Sequence, residues 1–214
     1  MQVHWNQNLE KRLCNMPRSH PWTTSSEDDG ARYVDLRANP WLVREVLEDF
    51  NRYEDRLATQ RFYEILVWVN GADSLLETND CLLRVGGGPS SAQTVGVEIR
   101  GHLTFFFRDL VQNCRPAPVA WLCQQLERSV GSVDPKFSGG AFDYARWPTY
   151  FRALQDSSGA PMAGNLINLR FVSHGSDEQD AFVNLDRTFA TLQQALQEIS
   201  CEAQHTIKGA IASS

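Results

Sequence analysis

The chain has 214 residues, 42% of them hydrophobic and 21% charged, a usage that supports a buried core and excludes a natively disordered chain. Lys+Arg 20 against Asp+Glu 26 gives a net charge of −6, which works against non-specific binding to phosphates, so nucleic acid is not an expected partner. Neither an apolar run of about 18 residues, long enough for a membrane span, nor a charged stub followed by an apolar leader occurs, so no membrane association is expected.

Residues 1–30 mix tryptophans with Pro17, Pro21 and the polar run Thr23-Thr-Ser-Ser-Glu-Asp-Asp-Gly30, and read as an irregular arm whose Trp5 and Trp22 would gain from docking. Asn39-Pro40 is a helix start, a capping residue followed by a proline whose missing N–H costs nothing at that position. Leu42, Val43, Val46, Leu47, Phe50, Tyr53 and Leu57 then recur at three- and four-residue steps and predict one amphipathic helix over 40–57. Phe62-Tyr-Glu-Ile-Leu-Val-Trp-Val69, rich in β-formers and ending at the turn signal Asn70-Gly71, predicts a buried strand, and Cys81–Val85 a second that stops at Gly86-Gly-Gly-Pro-Ser-Ser91.

From Val95 to Phe107 the chain alternates. Val95, Val97, Ile99, Gly101, Leu103, Phe105 and Phe107 lie on one side, and Glu98, Arg100, His102, Thr104 and Phe106 on the other. This predicts either one long strand or a hairpin folded near Arg100-Gly101, with one row in the core and its counterpart wet. Val119, Leu122, Cys123, Leu126 and Val130 predict a helix over 117–130 ended by Gly131. Segment 134–164 gives no clear pattern beyond a loop with a short helix, and Leu166–Val172 alternates again as a strand. Ser176-Asp-Glu-Gln179 matches a capping box ahead of a helix over 177–200 striped by Phe182, Leu185, Phe189, Leu192, Leu196 and Ile199. The expected fold is α+β: an antiparallel sheet of four to five strands with three amphipathic helices packed mainly on one face. Residues 1–30 form the arm, 31–202 a single domain and 203–214 a frayed tail.

Five scattered cysteines, Cys14, Cys81, Cys114, Cys123 and Cys201, without a C-x-x-C pair fit reduced thiols and a cytoplasmic location; no metal and no cofactor are expected. Cys123 and Cys201 are expected to behave as small apolar residues within helices. The glycine run lacks a P-loop ending, and no G-x-S-x-G or H-E-x-x-H signature occurs. Histidines His102 and His174 have only Asp109 and Asp177 as sequence neighbours to orient them.

Charge is unevenly placed. Residues 81–153 carry eight Lys+Arg against five Asp+Glu, whereas residues 176–202 carry one Arg against six acids. Arg84, Arg100, His102 and Arg108, with Arg170, are expected to form a cationic patch on the polar side of the sheet, unless each Arg pairs with an acid such as Glu98 or Glu64. Asp177, Glu178, Asp180 and Asp186 form an acidic contact surface on the last helix suited to a basic protein. The expected function is a non-catalytic protein-binding module, an immunity-type inhibitor that neutralises a toxin or a scaffold for a partner, with a homodimer left open. The alternative is a small-molecule sensor or enzyme with a pocket between the sheet and segment 134–164, served by Asp80, Cys81, His102 and Arg108.

Overall fold

The structure is a computed structural model that describes residues 1–21, 34–87 and 96–212, with side chains in the last helix described as far as Ala203. In chain order the first half holds β1 (Val3–Trp5), α1 (Gln7–Cys14), β2 (Arg18–His20), a 3-10 turn at Pro40–Leu42, α2 (Val43–Val46), α3 (Glu48–Asn51) and α4 (Leu57–Asn70). The second half holds β3 (Leu76–Gly87), β4 (Val97–Phe107), α5 (Leu110–Asn113), α6 (Pro116–Val133), β5 (Gly140–Gln155), β6 (Pro161–Gly175) and α7 (Glu178–Ala212).

The architecture is mixed, with a six-stranded and mostly antiparallel sheet. β5, β6, β4 and β3 follow one another in antiparallel order, and β1 and β2 each add in parallel to the free edge of β5, opposite Phe142–Tyr144 and Thr149–Phe151. β4 runs straight through Arg100-Gly101, so the alternating stretch is one strand and no hairpin. Its row Ile99, Leu103, Phe105 and Phe107 meets Leu169, Ile167 and Phe171 of β6 beneath α4, α6 and α7.

Rings dominate this layer. Phe171 lies edge-on to Phe189 of α7 with centroids 4.9 Å apart, Phe189 lies 4.9 Å from Phe62 of α4, and Phe50 stacks on Phe62 at 4.7 Å. Gly101 sits directly opposite Phe171, and a Cβ placed on it would come within 2.4 Å of that ring and 2.0 Å of the Leu82 carbonyl oxygen. The missing side chain is therefore what lets the ring lie over β4 and β3 pass alongside.

Four expectations are corrected. Phe62–Val69 is not a strand but the body of α4, where Ala58, Phe62, Ile65, Leu66 and Val69 are all buried on one side. A short apolar run has no period of its own to decide between helix and strand, and Asn70-Gly71, read as a turn closing a strand, instead ends the helix, with the Gly71 N–H donating to the Trp68 carbonyl. The helix over 40–57 is instead a series of single turns interrupted at Leu47 and after Asn51, which brings Phe50 flat against Phe62. Segment 134–164 holds no helix and is loop only at 134–139 and 156–160. Most of it is β5, paired with β6 through Trp147-Pro148, where Pro148 stands opposite Asn165.

The arm is the fourth correction. Residues 1–20 are ordered as β1, α1 and β2, and Leu9 and Leu13 of α1 close a second core with Phe106, Ala145, Trp147, Phe151 and Leu166 on the other side of the sheet. Asn6 caps α1 by accepting from the Leu9 N–H at 2.8 Å, and the Trp147 indole N–H donates to the Met16 carbonyl at 2.7 Å. Trp22 and the run Thr23–Gly30 lie outside the described residues, as do residues 88–91 of the glycine run, whose Gly86 and Gly87 close β3.

Smaller differences are local. Gly131 lies inside α6, which continues to Val133, and a Cβ there would meet nothing within 4 Å. At α7 the cap moves one residue along: Asp177 accepts from the Asp180 N–H at 2.8 Å, while Asp180 accepts from the Ser176 N–H at 2.8 Å. The Cys201 thiol is exposed, contrary to expectation, whereas Cys123 is buried and its thiol is pushed up to about 11 by that burial. Among the described residues no helix is long and apolar enough to cross a membrane.

Two consequences are measurable. Gly131→Ala should stabilise the protein by about 0.5–1 kcal/mol through helix propensity, and Gly101→Ala should destabilise it by about 1–3 kcal/mol through overpacking, both read from urea unfolding. His20 is buried between Phe106 and Phe151, bonded to Asn79 at 3.1 Å, and burial lowers its pKa from 6.5. The folded state thus holds this proton more weakly than the unfolded chain, so the contribution is complete above about pH 6.5 and is lost as pH falls through the lower folded-state value. The melting temperature of the protein should fall more steeply below about pH 6.5 than that of His20→Gln; parallel profiles would refute the assignment.

Candidate binding site

The sheet side away from α4, α6 and α7 changes character along its length, and the register says why. Its lowest part is apolar and lies under the arm: Leu166 and Trp147 stand opposite each other on β6 and β5, and Phe106 of β4 packs with them. The next rung is polar but dry, with the buried Asn168 amide donating to the Thr104 hydroxyl at 2.9 Å. Beyond it the arm no longer covers the sheet. There Leu82, His102, Arg170, Asp143 and His4 form a rung across β3, β4, β6, β5 and β1, followed by Arg84, Arg100, Val172 and Ala141. These two rungs line a concavity of about 570 Å³.

Its charges are unequally satisfied. Arg170 forms a two-pronged pair with Asp143 directly across from it, at 2.7 Å from Nε and 2.5 Å from Nη2, and this carboxylate raises the guanidinium pKa. Arg100 pairs with Glu98, two residues back on the same strand, and Glu98 also lies 3.6 Å from the His174 ring. His102 approaches Asp80 at 3.3 Å, but off the line of a hydrogen bond, and its buried Nε2 is unsatisfied. Arg84 stands directly opposite Arg100 and has no carboxylate partner among the described residues. Two like charges facing each other across neighbouring strands oppose each other, so an anion placed between them relieves a repulsion as well as forming new bonds.

Of the cationic residues singled out from the alternation, Arg84, Arg100, His102 and Arg170 do converge. Arg108 does not: it lies past the end of β4, where its Nη2 donates to the Gly71 carbonyl at 2.5 Å. Glu98 takes the pairing role that was weighed for it, whereas Glu64 lies on α4, away from this face. His4 and Asp143 were missed, because the first lies in the arm and the second in the segment without a clear pattern.

The grouping of Asp80, Cys81, His102 and Arg108 is separated by the sheet itself. Asp80 and His102 face the concavity side, while Cys81 packs against the helix-side core. Neither Asp109 nor Asp177 orients a histidine; both accept backbone N–H groups at helix starts. Among the described residues no cluster of His, Cys, Asp and Glu could hold a metal ion.

The acids of the last helix have duties within the fold. Asp177 and Asp180 cap α7, Glu178 meets Arg56 at 3.0 Å, and Asp186 binds Arg61 of α4 at 2.7 Å, raising the pKa of that guanidinium. Comparison with protein-family models, curated proteins and solved structures finds no match to this chain.

Because the Arg61–Asp186 pair is partly shielded and forked, Asp186→Asn should cost about 1 kcal/mol in urea unfolding, while Glu178→Gln at the more exposed pair should cost less than about 0.5 kcal/mol.

Proposed function

We propose that this protein is a non-catalytic cytoplasmic binding module that docks an acidic segment of another protein on the uncovered half of its sheet. The observation that carries this reading is Arg84, solvent-exposed and without a carboxylate partner among the described residues, set opposite Arg100 in a concavity that also presents His102, Arg170 and His4. A planar guanidinium fork is suited to carboxylates, and a cationic hollow on a molecule of net charge −6 favours binding at one place over diffuse attraction. An immunity-type inhibitor that covers an acidic region of a toxin is one form such a module takes; a scaffold is another.

The arginine face supports the proposal better than the acidic helix does, since the acids of α7 already serve as caps or ion-pair partners. Catalysis is not part of the proposal, because the thiol and the histidine–carboxylate pair that were candidates for it lie on opposite sides of the sheet.

The test uses a fluorescein-labelled decaglutamate peptide read by anisotropy. Saturable binding at low salt, weakened as salt rises and reduced about tenfold by Arg84→Glu but unchanged by Asp186→Asn, is the expected result. Absence of binding at low salt, or binding indifferent to Arg84→Glu, would overturn the proposal.

A further inference from the structure

A second cavity, of about 700 Å³, opens at the far end of β4, separate from the concavity on the sheet. Its lining is mainly apolar. Leu75 comes from the turn before β3, Phe107 from the end of β4, and Pro118 and Trp121 from α6, with the Phe107 and Trp121 rings stacked 6.4 Å apart. The lining also includes Arg37, Arg108, Asp109 and Gln112.

Arg108 is the unusual member. Its backbone N–H goes to the Leu75 carbonyl and its Nη2 to the Gly71 carbonyl, which hold the side chain in place. Its Nε is buried with no acceptor, and among the described residues no carboxylate bonds the guanidinium. The nearby acids are committed elsewhere: Asp109 accepts from the Val111 N–H at 3.2 Å and the Gln112 amide at 2.9 Å, and Glu77 lies 3.9 Å from Arg37. Burial and the neighbouring Arg37 both lower the Arg108 pKa, with Glu77 opposing them. A partly buried guanidinium whose Nε has no acceptor, set in the wall of a mainly apolar slot, lacks one kind of group: an anion attached to an apolar body.

We propose that this slot binds an apolar monocarboxylate, its chain or ring lying against Phe107 and Trp121 and its carboxylate taken by Arg108 with Arg37. The site is independent of the sheet concavity and of the function proposed for it. With Arg108 and Arg37 both engaged by one carboxylate, a dicarboxylate would find no further cation among the described lining residues, and an apolar alcohol would leave Arg108 as short of acceptors as before.

Sodium decanoate, kept below its micelle-forming concentration, serves as the probe in isothermal titration calorimetry against the intact protein, with decanol as its uncharged counterpart. Single-site binding of decanoate, at least about tenfold tighter than decanol and weakened about tenfold by Arg108→Met with decanol unaffected, is the expected result. Arg108 also braces the Gly71 turn, so Arg37→Gln, at an exposed side chain, provides the second variant and should weaken decanoate about threefold. Equal affinity for acid and alcohol, no binding of decanoate, or indifference of decanoate to Arg37→Gln would each overturn the assignment. Competition with decaglutamate would show that the two ligands share a site and would equally overturn it.

Discussion

The contact on which the architecture turns is the ring of Phe171 lying over the bare backbone of Gly101. Phe171 reaches Phe189 and Phe62 beyond it, so one side chain of β6 joins the middle of the sheet to α7 and α4 together. Strands have a period of two, so fixing this residue towards the helices fixes every other residue in its register. Leu103 and Ile99 must follow it inward, and Arg100, His102 and Arg170 must point the other way. The polar concavity is thus a consequence of how the aromatic core seats itself, and its residues need no packing of their own to be held in a row.

The two halves of the outward side then part company according to what the arm can cover. Leu9 and Leu13 need apolar partners and find them at Phe106, Trp147, Phe151 and Leu166, while the rung of Thr104 and Asn168 satisfies itself and marks the limit of that cover. Past it the sheet is charged, with three guanidiniums and two imidazoles against a smaller set of carboxylates. A face that were merely solvated would be expected to pair its ions across strands, as Arg170 and Asp143 do. Arg84 opposite Arg100 departs from that pattern, and the departure gives the face a direction.

How much of this is legible in the chain alone depends on whether a segment's burial follows a period. α6 and α7 bury one stripe and expose the rest, and β4 keeps one apolar row turned to the helices although Thr104 and Phe106 of the other row are buried as well, so their patterns survive in the sequence. α4 buries Phe62, Tyr63, Ile65, Leu66 and Val69 but carries the apolar Val67 on its exposed side, and Phe62–Val69 therefore reads as an almost continuous apolar run with no helical signature. β5 is buried partly on both sides and carries Trp147-Pro148, which reads as a break, yet Pro148 is tolerated within a paired strand. The cationic row was legible because Arg84, Arg100 and Arg170 each lie in a recognisable strand. His4 and Asp143, which complete the same rung, come from elements identified only once the three-dimensional pairing is known. The acidic surplus of α7 was visible as well, but not its use, since its partners Arg56 and Arg61 stand more than a hundred positions away in the chain.

The strand order also leaves the sheet with two unlike borders. On one side β1 and β2 share the outer edge of β5 end to end, so the longest strand offers few unused backbone groups to another molecule. On the other side β3 is the terminal strand, twelve residues long, and there the chain relies on interruption instead: a bulge at Asn79 breaks the hydrogen-bond ladder, and Asp80 and Arg84 flank the stretch beyond it. A stranger's strand seeking to prolong the sheet into a fibre would meet a kinked template with mismatched spacing and fixed charges, with His20 and Arg18 of the arm reaching Asn79 and Asp80 at the kink, so this flank carries its own guard against polymerisation.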